Sequence, residues 1–242
     1  MPNKLGIHAR PAARLVSLAG QFDAQIELAH AGNSAVATSM NQVATLGVRQ
    51  GDAGGACASG PQASDALAAI EMLALDNFGD PIAVTEPTEI IAAAMEDVAG
   101  DTLVGIPAAG GIAFGPAVLY RPEAIEVAER TTSDPDAERT RLEVAIAAVA
   151  SHLAYLRNEM FQRAGAGEAG IFDAQLFMVQ DADLQQTAIQ AIEMRHLDAS
   201  SAWLQAMTAT AARYRALDDP FTRAGLMTWS MWANVCCAFW KD

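Results

Sequence analysis

The chain has 242 residues, of which 52% are hydrophobic and 18% charged, a composition that is typical of a globular protein and excludes a disordered one. Its formal net charge of −14 argues against nucleic acid as a partner, because a nucleic-acid binder must neutralise phosphates with Lys and Arg. No run of about 18 strongly apolar residues occurs, so we expect no membrane span and no membrane partner.

The first 76 residues alternate short helical and strand-like patterns. The spacing predicts a helix from Pro11 to Ala19, then a hairpin of "QFDAQIELAH" and "SAVAT" around the turn "AGN". Ser39 is a good N-cap for a short helix through Leu46, and "AGGACAS" predicts a strand that its small residues weaken. A helix from Ser64 to Asp76 completes an α+β pattern, with one antiparallel sheet and helices on one side.

The middle of the chain predicts a linker followed by strands and a long helix. Residues 77–100 indicate a linker with one short helix, and the glycines of "TLVGIPAAGGIAFGPAVLY" separate two strands within 101–120. From Asp136 the apolar residues follow a heptad spacing, which predicts a long helix in an antiparallel bundle. Its seam comprises Leu142, Ile146, Val149, Leu153, Leu156 and Met160.

Two more helical regions complete the predicted bundle. After a break at "RAGAGEAG", one region runs from about Ile171 to His196, with an interruption near Asp181. The next begins at "LDASSAW", with Asp198 or Ser200 as its cap. Its spacing predicts an inward face made of Trp203, Met207, Ala211 and Tyr214.

The stretch "LGIHARPAARLV" carries the most specific chemistry in the sequence. His8 directly precedes the predicted helix start, where Pro11 fits at or near the first helical position. A helix N-terminus binds anions through its backbone N–H groups, and Arg10 supplies a guanidinium that can fork onto phosphate oxygens. These features suit a phosphoryl group carried on the imidazole. The alternative is a surface histidine that merely begins a helix.

The wider pattern resembles a known family. "LGIHARPAARLV", the hairpin and "SAVATSMNQVATLGVRQGD" resemble HPr, the phosphocarrier of the bacterial phosphoenolpyruvate phosphotransferase system, over roughly residues 3–76. The resemblance implies an HPr-like open-faced β-sandwich, with His8 phosphorylated on Nδ1 and Arg10 as its phosphate partner. Ser39 matches a position that a regulatory kinase modifies in some lineages, and a plain N-cap is the alternative for it.

The second half resembles part of enzyme I, the phosphotransferase that charges HPr. "VGIPAAGGIAFGPAVLY" resembles its first strands, while "GIFDAQLFMVQDADL" and "YRALDDPFTRA" resemble its helical HPr-docking domain. The resemblance implies a docking face for HPr that is both apolar and acidic. The matching positions are Asp173, Leu176, Phe177, Asp181 and Asp183. Leu176 and Phe177 have an alternative as bundle core, and an acidic excess is usually only a solvated surface.

Fusions of HPr with enzyme I are multiphosphoryl transfer proteins, and the motif is most similar to the dihydroxyacetone kinase type, with the fructose type as the alternative. The resemblance implies three kinds of partner: phosphorylated enzyme I, an acceptor of the EIIA or dihydroxyacetone kinase type, and an HPr-like domain in cis or in trans. Two further functions stay open, a non-catalytic docking module and a non-functional gene fragment.

The sequence departs from this family in two ways that bear on activity. Only "MPNK" precedes the His8 loop, so we expect the first HPr strand to be missing and the "AGGACAS" strand to lose a neighbour. The "GG-x-x-SH" motif of enzyme I does not occur around His30, His152 or His196. Magnesium and phosphoenolpyruvate belong to a C-terminal part of enzyme I that this sequence lacks, so we expect no cofactor and leave open whether the chain is itself a transferase.

The last residues and the cysteines bound the remaining expectations. "GLMTWSMWANVCCAFWKD" departs from the family pattern, and we interpret residues 226–242 as an aberrant tail that a frameshift would explain. The predicted domains are therefore 1–76, a linker over 77–100, an enzyme I fragment over 101–225 with its bundle over 134–225, and the tail. Three cysteines without metal-ligand spacing, and no signal peptide, favour a cytoplasmic protein without a metal site.

Overall fold

The computed structural model describes residues 6–79, 114–116 and 129–217. Residues 6–79 form what we call the N-terminal lobe, and residues 129–217 form the helical lobe. Both lobes belong to one compact unit, while Pro81–Pro122 group separately. The linker helix predicted within 77–100, most of the strand region 101–120 and the tail 226–242 lie outside the described residues.

The N-terminal lobe is a small α+β fold that confirms the HPr-like prediction. Its strands β1 (Gln25–His30), β2 (Asn33–Val36) and β3 (Gly55–Ser59) form an antiparallel sheet in the order β2-β1-β3. Helices α1 (Ala9–Ala19), α2 (Met40–Thr45) and α3 (Ala63–Leu75) are the helical part of the lobe. Its core combines the apolar faces of α1 and α2 with Ile26 and Leu28 of β1.

The hairpin between β1 and β2 follows from the backbone of its two loop residues. His30 pairs with Asn33, which leaves Ala31 and Gly32 as the turn. Both have positive φ values, 48° and 83°, and this combination matches the right-handed twist of the flanking strands. The turn therefore fixes the register that places Ile26 and Leu28 on the buried face.

Strand β3 is the weak strand that its small residues predict. It pairs with β1 from Gln25↔Ser59 to Ala29↔Gly55, and its residues alternate between exposed and half-buried. Among the described residues, no strand lies beside its other edge. Helices cover one face of the sheet, and β3 is its weakly packed edge strand.

Helix α1 begins two residues earlier than the sequence spacing predicts. It starts at Ala9, with His8 as its N-cap, so that Pro11 occupies the third helical position rather than the first. A proline still fits there, because the first N–H groups of a helix have no intrahelical acceptor. The earlier start brings Arg10 into the first turn.

The helical lobe consists of four helices. These are α4 (Pro135–Ala164), α5 (Ala166–Val179), α6 (Ala182–Arg195) and α7 (Ala199–Arg215). Asp134, Asp181 and Asp198 cap α4, α6 and α7 by accepting backbone N–H groups of their first turns. Helix α5 starts at Ala166 and not near Ile171, because only Gly165, with φ of 96°, breaks the chain between α4 and α5.

Periodicity located the interior of this lobe correctly. The seam residues Leu142, Ile146, Val149 and Leu153 of α4 are buried, while Leu156 and Met160 are only partly covered. All four residues predicted to face inward on α7 are buried: Trp203, Met207, Ala211 and Tyr214. Buried residues of both lobes form one continuous apolar cluster, so the lobes share a core.

Within residues 6–79, 114–116 and 129–217, the longest helices carry too many polar and charged residues to cross a bilayer.

Candidate functional site

The loop that holds His8 is built on a close approach between two backbone segments. Ile7 donates its backbone N–H to the carbonyl oxygen of Val48 at 3.0 Å, and Gly6 lies directly against that segment. A Cβ on Gly6 would stand 2.1 Å from the Val48 carbonyl oxygen, and its φ is 69°. Only glycine fits at this position, so Gly6 is required by the loop itself.

His8 is half-buried at the start of α1. Its backbone is extended, and Ala12 donates the first intrahelical hydrogen bond to its carbonyl oxygen at 3.0 Å. The imidazole does not cap the helix, so its ring nitrogens are not committed to the backbone N–H groups of the first turn. The N–H groups of Ala9 and Arg10 come before that first bond, where a helix N-terminus favours negative charge.

Arg10 links this loop to the helical lobe. Its Nη2 donates to the carbonyl oxygen of Gly167, in the first turn of α5, at 3.4 Å in an exposed position. The guanidinium is thus held at the edge of the His8 loop by a residue that is distant in sequence. A neutral acceptor at this distance makes a weaker hydrogen bond than a phosphate oxygen would.

Ser39 and Asp181 form the central contact between the lobes. Ser39 caps α2 by accepting the backbone N–H of Gln42, as the sequence predicts, and its hydroxyl donates to Asp181 Oδ2 at 2.9 Å. The backbone N–H of Asn41 donates to the same oxygen at 2.8 Å. Asp181 Oδ1 accepts the N–H of Asp183, which caps α6. The Asp181 carboxylate, only 2% exposed, therefore serves the first turns of two helices in two lobes.

Asn41 is buried, and it makes three hydrogen bonds to the helical lobe. Besides its backbone bond to Asp181, its side-chain Nδ2 donates to the carbonyl oxygen of Met178 at 3.5 Å. The hydroxyl of Tyr214 donates to Asn41 Oδ1 at 3.4 Å. Burial, and then the charge of Asp181, raises the pKa of Tyr214 well above its ordinary value, which keeps that hydroxyl protonated as a donor. A helix residue of the N-terminal lobe thus obtains its side-chain partners from the helical lobe.

Charged and polar groups surround the buried contact. Gln42 Nε2 donates to Asp183 Oδ2, and Arg213 Nη2 donates to Thr45 Oγ1 at 3.3 Å. Desolvation, and then repulsion by Asp181, raises the pKa of Asp183, while the positive charge of Arg213 lowers it. The negative charge of Asp183 is therefore less stable in the folded chain than in water.

The predicted docking residues divide into three kinds of position. Asp181 and Asp183 bind the N-terminal lobe directly. Leu176 and Phe177 are both half-buried against the shared core, so neither is fully core nor fully exposed. Asp173 pairs with Arg157 of α4 inside the helical lobe. The structure brings Arg10 and Ser39 into contact with the helical lobe, at Gly167 and Asp181, whereas His8 directly precedes the helix that carries Arg10.

Several residues of the contact escape sequence reasoning. Asn41, Gln42 and Thr45 carry no motif, and their partners Arg213 and Tyr214 lie about as far along the chain as Asp181 does. The one available signal is the polar side chains that follow Ser39 in this short helix, at Asn41, Gln42 and Thr45. Among the described residues, no group of three or more His, Cys, Asp or Glu side chains is placed to hold a metal ion.

Two family models match this chain. The model described as PEP-utilising enzyme, N-terminal, matches residues 104–224, which is half of the chain. The model described as PTS HPr component phosphorylation site matches residues 1–75. Together they cover the His8 loop and the helical lobe that contacts it.

Curated proteins show the same pairing of segments. The chain is 32% identical over 222 residues to the Escherichia coli protein named PEP-dependent dihydroxyacetone kinase, phosphoryl donor subunit DhaM, covering 92% of this chain and 43% of that protein. It is 30% identical over 225 residues to a multiphosphoryl transfer protein of Xanthomonas campestris, covering 89% of this chain and 26% of that protein. A phosphoenolpyruvate-protein phosphotransferase of Enterococcus faecalis is 29% identical over 119 residues, or 49% of this chain and 21% of its own length. The chain spans less than half the length of each of these relatives.

We predict that Asp181→Asn weakens the contact between the lobes. Asparagine still caps α6 through its oxygen, but it places an NH₂ group against the hydroxyl of Ser39 and the N–H of Asn41, which are both donors. Hydrogen bonds to a charged group contribute about 1.5–3 kcal/mol each, so we expect a loss of about 3 kcal/mol in urea unfolding of the full chain. Asp198→Asn, which caps α7 far from the contact, is the matched control and should stay within about 0.5 kcal/mol. Equal stability of the two variants would contradict this reading of Asp181.

We predict a pH-dependent difference for Asp183→Asn. Because the pKa of Asp183 is raised in the folded chain, the folded state binds more protons than the unfolded state, and this group lowers stability as pH rises from its ordinary value of 3.8 through its raised value. Asparagine does not titrate, so the stability of the variant minus that of the native chain should increase with pH across this window and then level off. Urea unfolding at a series of pH values measures it. A difference that decreases with pH would show that the sign is wrong.

Proposed function

The chain belongs to the family of PEP-utilising enzymes, whose N-terminal model matches half of its length, and from this membership we propose that it is a phosphocarrier component of the phosphoenolpyruvate-dependent phosphotransferase system. His8 accepts a phosphoryl group and passes it on. The observation that supports the proposal most strongly is the half-buried imidazole of His8 at the start of α1, beside Arg10.

The phosphoryl transfer uses the imidazole as a temporary acceptor. The Nδ1 lone pair of His8 attacks phosphorus, a P–N bond forms, and the bond between phosphorus and the donor protein breaks, with its electron pair returning to the donor. The new phosphoramidate carries negative charge next to the first turn of α1, where backbone N–H groups stabilise it. Arg10, in the first turn of α1, supplies a guanidinium that can act as a bidentate donor to this group. The arrangement holds the phosphoryl group without enclosing it, so onward transfer remains fast.

The donor that we propose is phosphorylated enzyme I, and the acceptor is a protein of the dihydroxyacetone kinase or sugar-specific EIIA type. The relative from Escherichia coli, which is named as a dihydroxyacetone kinase phosphoryl donor subunit, favours the first kind of acceptor. The helical lobe serves as a docking module for an HPr-like domain, with Asp181 and Asp183 as its acidic contacts. In this proposal Ser39 acts as the cap of α2 and as a contact, since its hydroxyl is buried against Asp181.

We predict that His8 is the residue that becomes phosphorylated. Purified chain is incubated with labelled phosphoenolpyruvate and a separate complete enzyme I. The native chain should take up label that is lost in acid and retained in base, as expected for phosphohistidine. His8→Ala should take up none, whereas His152→Ala, which removes an imidazole of α4, should behave as the native chain does.

Arg10 variants test the electrostatic part of the same proposal. Arg10→Ala should slow labelling by about two orders of magnitude, as loss of one preorganised donor typically does. Arg10→Lys should recover part of the rate, because it keeps the charge and loses the fork. Label that persists in His8→Ala, or a folded native chain that takes up none, would contradict the proposed function and would favour a docking module without phosphotransfer.

A further inference from the structure

We propose that this chain is self-docked: the N-terminal lobe occupies the docking face of the helical lobe in cis, and an HPr protein in trans must displace it to bind there. The proposal rests on the proposed function only for the identity of the competitor. It commits to one occupant of the face, the segment Ser39–Thr45 together with α1.

The first support is that the start of α2, which is the docking surface of the N-terminal lobe, is buried by the helical lobe. Ser39, Met40 and Asn41 are 5%, 0% and 2% exposed, although they begin a short helix at the edge of a small lobe. The backbone N–H and the side-chain polar atoms of Asn41 are satisfied by Asp181, Met178 and Tyr214, all of the helical lobe. Buried polar groups need such partners, so this surface is built to be covered.

The second support is that the helical lobe commits its acidic groups to the same contact. Asp181 uses Oδ2 for Ser39 and Asn41, and Asp183 uses Oδ2 for Gln42. These carboxylates are the ones that an HPr domain in trans would have to meet. A second contact lies at the other end of the interface, where Arg10 reaches Gly167. Both ends of the face are therefore occupied.

The third support is that the two lobes share an apolar core and are tethered. The hydrogen bonds to carboxylates and carbonyls can be replaced by bonds to water, whereas the shared apolar core favours the closed arrangement. Residues 80–128 join the two lobes covalently. A tethered partner acts at an effective concentration on the order of 1 mM, which a protein in trans must overcome. Self-docking therefore sets a threshold for partners and slows exchange of the phosphoryl group on His8.

The test opens the contact by charge and leaves the shape of the chain unchanged. Gln42→Glu has nearly the same size and keeps the oxygen that accepts the N–H of Val36, but it places a carboxylate against Asp183. Gln42→Glu combined with Asp183→Asn restores a donor opposite the new carboxylate and should close the contact again. Ser39→Asp, which keeps a good cap but faces Asp181, is a second opening variant, and Ser39→Asn is its neutral control of equal size.

Calorimetric titration of each full-length chain with a purified bacterial HPr measures access to the face. We expect Gln42→Glu and Ser39→Asp to bind HPr at least about tenfold more tightly than the native chain, because apparent affinity scales with the open fraction. The double variant should bind HPr as weakly as the native chain does. The single variants Asp183→Asn and Ser39→Asn should do the same. Small-angle scattering should show that the two opening variants alone expand.

Each other outcome overturns the proposal. If the native chain binds HPr as tightly as the opening variants, the face is not occupied in cis. If the opening variants expand and still do not bind HPr, the face is not an HPr docking face, and if neither variant expands nor gains affinity, the contact is not a reversible closure. If the native chain takes up no label while the opening variants still bind HPr more tightly than the native chain does, the proposed function alone is contradicted.

Discussion

The arrangement of the two lobes depends on the hydrogen bonds that the carboxylate of Asp181 accepts from Ser39 and Asn41. This carboxylate is buried between two lobes, and a buried charge is tolerated only where hydrogen bonds replace its water. Ser39, Asn41 and Asp183 supply those bonds, and two of them belong to the lobe that carries His8. One side chain thus completes the first turn of α6 and binds the first turn of α2. Separation of the lobes has to hydrate this charge and the donors that it holds.

That constraint determines how the His8 loop meets the helical lobe. With α2 fixed on Asp181, helix α1 lies along α5, and Arg10 reaches the carbonyl oxygen of Gly167. His8 is half-buried and directly precedes the helix whose first turn makes this contact. A phosphoryl group on His8 would compete with Gly167 for the guanidinium of Arg10. In the proposed function, phosphate binding would therefore be coupled to contact between the lobes through this one side chain.

Local features of the site could be predicted from the sequence, whereas the residues that contact the site from the other lobe could not. Periodicity located the buried face of α7, and the capping preference of serine located Ser39, since both depend on neighbouring residues. The burial of Asn41 depends on Asp181, 140 positions away, and no local pattern encodes such a pairing. The predicted starts of two helices were wrong, because local propensity did not decide them. Pro11 occupies the third position of α1 and not the first. The glycines after Ala166 lie within α5, although they predicted a break in the chain. A resemblance to docking residues pointed to Asp181 but not to the lobe that binds it.

The exchange rate of the Asn41 backbone amide with deuterated solvent tests the account most directly, because that amide donates to Asp181 across the lobes. Val43, whose amide donates to Ser39 within α2, is the internal reference. The account predicts that Asn41 is protected in the full-length native chain and that Asp181→Asn removes this protection while Val43 keeps its own. Exchange of Asn41 at the rate of an exposed amide in the native chain, with Val43 still protected, would contradict it.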